Sequence, residues 1–294
     1  MLGIILSVLS ALGFAFGDIC KKKLSVDTDI FTISWIPSVF GLIIGAIYFY
    51  LIGIPQLGDL SEVTQIVFLA VVSSISLILV EVWFLKSIRA GELSLVMPLT
   101  AFIPVFGGLL AWISTGEEPT FAALIGILIL LIGSWLMFAD ASDWKHIFRP
   151  FTKMFSEPAS RYMLEFCLLD AVFMNLMNHG GDRSSPSFFL WLTLIFQVVI
   201  LSGILLIRRV NPVASVLARP LSSVGLGIGW SVGMMAILQS LTHTMVAYAM
   251  AANRVHTIFI VLLSRWILKE HDFQKRLLTS ILMVVGVLIL ILGS

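Results

Sequence analysis

Arg254 stands near the middle of a long apolar run, Met245 to Leu268, and no acid shares that run. If the run crosses a membrane, an arginine at its centre costs about 2.5–3.5 kcal/mol on insertion scales, so the guanidinium must face protein or water. Thr257, Val261 and Arg265 follow it at i+3, i+7 and i+11, and Asn253 stands beside it, giving one polar stripe along a helix. The planar fork of a guanidinium matches a carboxylate or a phosphate, and the chemistry implied is anion recognition. A permanent ion pair with an acid from the other half of the chain is the competing reading. Four acids lie in comparable runs: Asp18, Glu81, Glu165 and Asp170. Asp170 is near a stripe of Cys167, Ala171, Asn175 and Asn178, and offers either a proton or cation site or a salt bridge to Arg254. Glu81 shares a face with Ser74 and Leu77, and is either a cavity acid or the partner of nearby Lys86 or Arg89. Asp18 precedes Lys21 and Lys22 by three and four residues, and Glu165 follows Arg161 by four, so both read as local ion pairs. Arg265, nearer a helix end, reads as an interface or snorkelling residue. The candidate binding residues are therefore Arg254, Asn253, Asp170, Glu81 and Asn175, with Trp230 beside Met234 as an apolar cavity wall.

Other chemistries find little support. Cys20 and Cys167 fit neither a zinc spacing nor a disulfide framework and read as buried packing residues. His179, His243 and His256 have no helical partner at metal spacing, while His146 and His271 fall in loops; all read as polar-end residues, and no metal is expected. The sequence has no phosphate-gripping P-loop, no paired-histidine zinc motif and no nucleophile elbow, which argues against nucleotide-driven pumping and against an intramembrane enzyme. No cofactor and no nucleic-acid partner is expected.

The elements that must position these residues are membrane helices. Of 294 residues, 59% are apolar and 12% charged, with a mean hydropathy of +1.05, well outside the balance of a soluble domain. At about 20 apolar residues per crossing, the chain divides into ten spans: Leu2 to Lys22, Ile30 to Ile52, Gln65 to Leu85, Glu92 to Ile113, Phe121 to Phe138, Arg161 to Gly180, Ser187 to Ile207, Leu221 to Thr242, Met245 to Leu268 and Leu277 to Gly293. Gly53-Ile-Pro55, Gly116-Glu-Glu-Pro119, Gly180 to Pro186 and Asn211-Pro212 read as turns between them. The first run has no basic segment before it and no small-residue cleavage site, so it reads as a span and not as a removed signal peptide. Fifteen of the 18 basic residues fall in the odd-numbered loops and the even loops hold only Arg183, which places the odd loops in the cytoplasm and both termini outside.

Between the fifth and sixth spans, Trp144, Phe148, Phe151 and Phe155 alternate with Lys145, Arg149 and Lys153 at helical spacing. This is either an amphipathic stretch on the cytoplasmic leaflet, kinked or interrupted by Pro150, or a plain linker. Small residues four apart, Gly13/Gly17, Gly41/Gly45 and Gly225/Gly229/Gly233, mark close helix contacts. Pro98 and Pro104 favour a kink in the fourth span.

The second half echoes the first. Leu85, Ser87, Met97, Phe106, Leu109, Leu110, Glu117, Leu124 and Gly133 recur 153 residues later as Leu238, Ser240, Met250, Phe259, Leu262, Leu263, Glu270, Leu277 and Gly286. Five spans per repeat is an odd number, so the second half enters the membrane from the opposite side, an inverted topology of the kind transporters rock around a midplane site. Glu117 and Glu270 close the fourth and ninth spans alike, and that recurrence argues for a structural role near helix N-termini.

Leu93-Ser-Leu-Val-Met-Pro-Leu-Thr-Ala, with Val105-Phe106, Leu110-Ala-Trp112, Gly116-Glu117 and Gly133, resembles the EamA-type repeat of the drug/metabolite transporter superfamily. The second copy carries it as Asn253-Arg254, Phe259, Leu263, Lys269-Glu270, Arg276-Leu277-Leu278 and Gly286. The resemblance implies an all-α integral membrane protein of ten helices in two inverted five-helix repeats, residues 1–138 and 161–294, joined by a cytoplasmic loop over 139–160. It implies a central cavity lined by helices one to four and six to nine, with helices five and ten at the periphery. It also implies transport of small metabolites, chiefly amino acids, drugs, nucleotide sugars and sugar phosphates. Where the first copy has Ala101 and Trp112 the second has Arg254 and Arg265, so the cavity would be asymmetric.

The expectation is a secondary transporter, an exporter or exchanger, of a small polar or zwitterionic metabolite such as an amino acid. Arg254 would take the anionic group, and Glu81 or Asp170 an amine or a coupling proton. A sugar-phosphate or nucleotide-sugar antiporter and a lipid-head-group flippase are the alternatives. The expected setting is a bacterial inner membrane, with the bilayer and a small-molecule substrate as partners.

Overall fold

The computed structural model describes residues 1–55, 58–115, 120–139 and 148–292, and every regular element among them is helical. In order these are α1 (Leu2–Leu24), α2 (Ile30–Ile52), α3 (Leu60–Ala90), α4 (Leu93–Val96), a 3₁₀ segment (Met97–Phe102), α5 (Ile103–Thr115), α6 (Phe121–Phe138) and α7 (Arg149–Ser156). There follow α8 (Pro158–Asp182), α9 (Pro186–Ile207), α10 (Pro212–Ala218), α11 (Pro220–Leu241), α12 (Val246–Asn253), α13 (Val255–Leu263), a π turn (Ser264–Leu268) and α14 (Phe273–Leu292). An apolar chain in lipid must satisfy its backbone within each segment, which leaves the helix as the available solution. Polar residues then set the ends: the Asp29 side chain accepts from Phe31 N–H, Thr120 from Ala123 N–H and Ser185 from Phe188 N–H.

Among the described residues, nine helical stretches are long and apolar enough to cross a membrane. The sixth expected span is not one of them. α8 is 25 residues long, but Glu165, Asp170, Asn175, Asn178 and His179 lower its hydropathy. Two further elements differ from expectation. Pro150 lies in the first turn of α7, where a missing N–H costs nothing, so it starts that helix and does not interrupt it. Pro150 and Met154 are buried while Phe148 and Phe155 are exposed; Trp144 and Lys145 lie outside the described residues. Asn211-Pro212 opens a short helix, α10, in which the Asn211 side chain accepts from the N–H groups of Val213 and Ala214.

Helices of one half pack on helices of the other: α1 along α11, α3 along α8, α2 on α9 and α6 on α14. The glycine stripes explain the closest of these contacts. A Cβ on Gly13 would lie 2.8 Å from Gly233 N, and one on Gly229 would lie 2.9 Å from Gly13 O, so the α1 and α11 backbones touch where no side chain fits. Gly286 does the same for α14, with a Cβ 2.9 Å from Gly126 O. Ser7 and Ser240 tie α1 to α11 at 2.6 Å, and Ser87, the repeat mate of Ser240, donates to the Ala159 carbonyl at 2.7 Å to tie α3 to α8.

Two helices are broken at matching points of the repeat. The 3₁₀ segment Met97–Phe102 interrupts the fourth unit, and Met250 to Val255, 153 residues on, contains the joint between α12 and α13. Pro98 and Pro104 account for the first break, since neither supplies an N–H. The second has no proline and is centred on Arg254.

Candidate functional site

α1 presents Asp18 and Lys21 one turn apart toward α3 and α13. Lys21 is 3% exposed, and its Nζ donates to both carboxylate oxygens of Glu81 at 2.9 and 3.1 Å. It stands 4.9 Å from the Phe84 ring centroid and 4.0 Å from Asp18. Asp18 Oδ2 lies 3.1 Å from His256 Nε2 on α13. Thus Glu81 pairs across helices with Lys21, and neither Lys86 nor Arg89 is its partner: Lys86 sits over the Trp83 ring and Arg89 donates to the Thr28 carbonyl.

Arg254 occupies the joint between α12 and α13. Its Nε is buried with no hydrogen-bond partner among the described residues. Asp170 of α8 and Cys167 lie within Coulombic range of the guanidinium, and Asp170 is also within range of Glu81. No ion pair closes Arg254 onto Asp170 among the described residues. Asp18, Glu81 and Asp170 thus share one row with Lys21 and Arg254, and His256 stands beside Asp18.

The other expected residues fall around this row. Asn253 donates to Ser10 Oγ at 2.8 Å, pinning the end of α12 to α1. Cys167, buried like Cys20, donates to the Leu99 carbonyl at 3.3 Å inside the 3₁₀ segment. Asn175 is exposed on α8 and donates to the Ala171 carbonyl one turn back. Glu165 makes the local contact to Arg161 at 3.8 Å, but its short bond is from Trp83 Nε1 at 2.6 Å. Trp230 packs with Met234 against Leu77, Val80, Phe173, Leu190 and Leu194. Leu77 and Val80 precede Glu81 by a turn or less, and Phe173 follows Asp170 by three residues, so this apolar wall adjoins the charges. Trp230 also lines a cleft with Tyr48, Trp191, Ser231, Gln239 and Thr242, which opens toward the even-loop end.

At the odd-loop end the halves are tied by hydrogen bonds. Glu270, 7% exposed, accepts from the N–H groups of Leu93 and Ser94 at 2.7 and 2.8 Å. It therefore caps α4 of the first half, not the helix that follows it. Arg276 donates to Ser94 Oγ at 2.6 Å and pairs with Glu92, while Lys22 Nζ donates to the Gly91 carbonyl at 2.8 Å and to that of Ile88. Glu117, its repeat mate, lies outside the described residues.

Sequence reasoning missed Lys21 and His256 as members of the row. Lys21 was signalled by its place one turn after Asp18, but Lys22 satisfies the same spacing. His256 had no such signal, since its partner comes from the far end of the chain.

A profile of the EamA-like transporter family matches residues 1–139. A solved crystal structure superposes on 98% of this chain and 95% of its own, with a TM-score of 0.62 and 12% identity, which shows likeness of fold. No curated protein matches the chain by sequence. Residues 1–139 are an EamA-like domain of the drug/metabolite transporter superfamily, a family of transporters and not of enzymes, and the chain is a multi-pass integral membrane protein.

Proposed function

We propose that the protein is a secondary transporter that exchanges or exports a small zwitterionic metabolite, an amino acid or a close relative, by alternating access. The observation that carries this reading is Arg254, buried at a helix break, within Coulombic range of Asp170 and closed onto no acid among the described residues. Opposite charges held apart at one site suit a ligand that carries both: a carboxylate on the guanidinium fork and an ammonium on Asp170. The apolar wall of Trp230 and Met234 would take the remainder of the molecule, with Asn253 fixing the joint and Glu81 held in reserve by Lys21. Asn175, exposed five residues after Asp170 on α8, would meet the ligand on its way in.

Architecture supports the same reading. We take α8 as a tenth span, because its 25 residues suffice at about 1.5 Å per residue and it packs along α3 within the bundle. Exchanging the two halves turns the α1–α11 contact into α8–α3 and leaves α2–α9 and α6–α14 as self-pairs, as two inverted five-helix repeats over 1–138 and 161–294 require. The basic residues at the odd-loop end then put that end in the cytoplasm and both termini outside.

Counterflow into proteoliposomes tests the reading, with a panel of radiolabelled amino acids, amines, sugar phosphates and nucleotide sugars. Exchange confined to zwitterions is expected. Exchange confined to phosphates, or of no class at all, would overturn it.

A further inference from the structure

We propose that the cleft between α2, α9 and α11 binds an aromatic ring carrying a hydrogen-bonding N–H or O–H, of the indole or phenol class, and that it selects the side chain of a transported molecule; the selecting half of this inference rests on the zwitterion reading above. The cleft grows out of the Gly41/Gly45 pair on α2. Their spacing predicts a close helix contact, but it is two tryptophan side chains that meet them. A Cβ on Gly41 would lie 2.8 Å from Cζ3 of Trp230, which comes from α11, and one on Gly45 would run into the indole of Trp191, which comes from α9. Trp191 is fixed there: its Nε1 donates to the Leu42 carbonyl at 3.1 Å, and the buried rings of Phe49 and Phe188 stand 5.3 and 6.3 Å from its own, centroid to centroid.

The lining dictates what fits. Tyr48, Trp191 and Trp230 supply ring surface and Met234 and Met235 supply thioethers, and both favour the face or edge of a ring over an aliphatic chain. Among the described residues no Asp, Glu, Lys or Arg lines the cleft, so a charged group entering it would lose its water without gaining a counter-charge. One buried polar group is left over. Ser231 is 2% exposed, and its Oγ has no hydrogen-bond partner among the described residues. Ser34 and Ser38 of α2 donate to the carbonyl four residues back. Ser231 makes no such bond, and of the buried hydroxyls so left among the described residues it is the one that lines this cleft. A hydroxyl both donates and accepts, so it can pair with a ring N–H or O–H brought within reach.

Position joins the cleft to the charged row. Its mouth, at Gln239 and Thr242, is exposed at the even-loop end, about three helical turns from Trp230. Its inner wall, Trp230, Met234, Leu190 and Leu194, packs in one apolar cluster with Leu77, Val80 and Phe173, which flank Glu81 and Asp170 in sequence. A zwitterion with its ring in the cleft and its charges on Arg254 and Asp170 would lie along that cluster.

The test titrates the full chain in lipid nanodiscs with 5-fluoroindole, followed by fluorine NMR. Saturable line broadening, absent from empty nanodiscs and displaced by indole, is expected; broadening that never saturates is partition into lipid and overturns the site. The N-methyl derivative of the probe, which has no N–H, is expected to bind about fivefold more weakly, and Ser231→Ala to weaken 5-fluoroindole by about as much while leaving the methylated probe unchanged. Equal affinity of the wild-type chain for the two probes, or a variant that binds both as the wild type does or loses both alike, overturns the pairing with Ser231. If Ser231→Ala fails to fold, the two probes on the wild-type chain decide. In counterflow, tryptophan and tyrosine are expected to half-saturate exchange at lower concentrations than phenylalanine and leucine, and Ser231→Ala to remove their advantage over phenylalanine. Exchange that treats the four alike overturns the selection. If no amino acid exchanges, the zwitterion reading falls, and the binding of 5-fluoroindole alone decides the cleft.

Discussion

The two broken helices share a geometry and differ in chemistry. In the first half the break is a proline-containing 3₁₀ segment, Met97–Phe102, wholly buried. In the second the break is a single joint at Arg254, with a guanidinium in place of the Ala101 methyl. Each is steadied by a side chain or hydroxyl from the opposite half: Cys167 of α8 reaches the Leu99 carbonyl, and Ser10 of α1 receives Asn253. The difference teaches that duplication supplied two places where backbone and polar groups could reach the interior, and that one was filled with apolar packing while the other kept a charge. The symmetric parts hold the bundle together, and the asymmetric part is where the proposed ligand would bind.

Substitutions can break that contrast. The largest effect is expected from Ala101→Arg, which puts a guanidinium into the closed break at a site only 5% exposed. A cost of about 2.5–3.5 kcal/mol is expected, visible as a lower melting temperature in detergent; an unchanged melting temperature would make the two breaks chemically equivalent.

Arg254→Ala is next. Loss of a charged contact to substrate is expected to raise the half-saturation concentration for an exchanged amino acid about 100-fold, or about 2.7 kcal/mol. Its melting temperature should change little, because no direct ion pair among the described residues is lost, only the longer-range attraction to Asp170. A drop of several degrees would identify Arg254 as a structural partner of Asp170.

Glu270→Gln acts on the first break from the second half. Removing the charge from the α4 cap is expected to cost about 1–2 kcal/mol and to speed hydrogen exchange at Leu93 and Ser94, leaving α12 unchanged. Equal loosening of α12 would show that the cap steadies the whole bundle. The smallest effects are expected from Asn253→Ala and Cys167→Ala, about 0.6 kcal/mol each by thermal unfolding; a much larger loss at one of them would mark that break as the less tolerant of the two.

Much of this was legible in the chain before it folds. The apolar runs set nearly every helix, the glycine stripes at 13, 17, 229 and 233 marked the closest contact, and Arg254 opposite Ala101 marked the broken symmetry. The proline pair foretold the first break, but nothing local foretold the second. Partner choice was the part least legible. Glu81 had two basic residues within eight positions and bonds instead to Lys21, 60 positions away; Glu270 adjoins the start of α14 and caps α4, 177 positions away.

Composition and periodicity determine helices because backbone hydrogen bonds close within a few residues and the hydrophobic requirement of a bilayer is met segment by segment. Lys21 over Lys22, His256 on Asp18 and Asn253 on Ser10 were decided only by tertiary structure. One residue along a helix turns a side chain by about 100°, so which charge faces which partner depends on how helices far apart in sequence are rotated and set against one another.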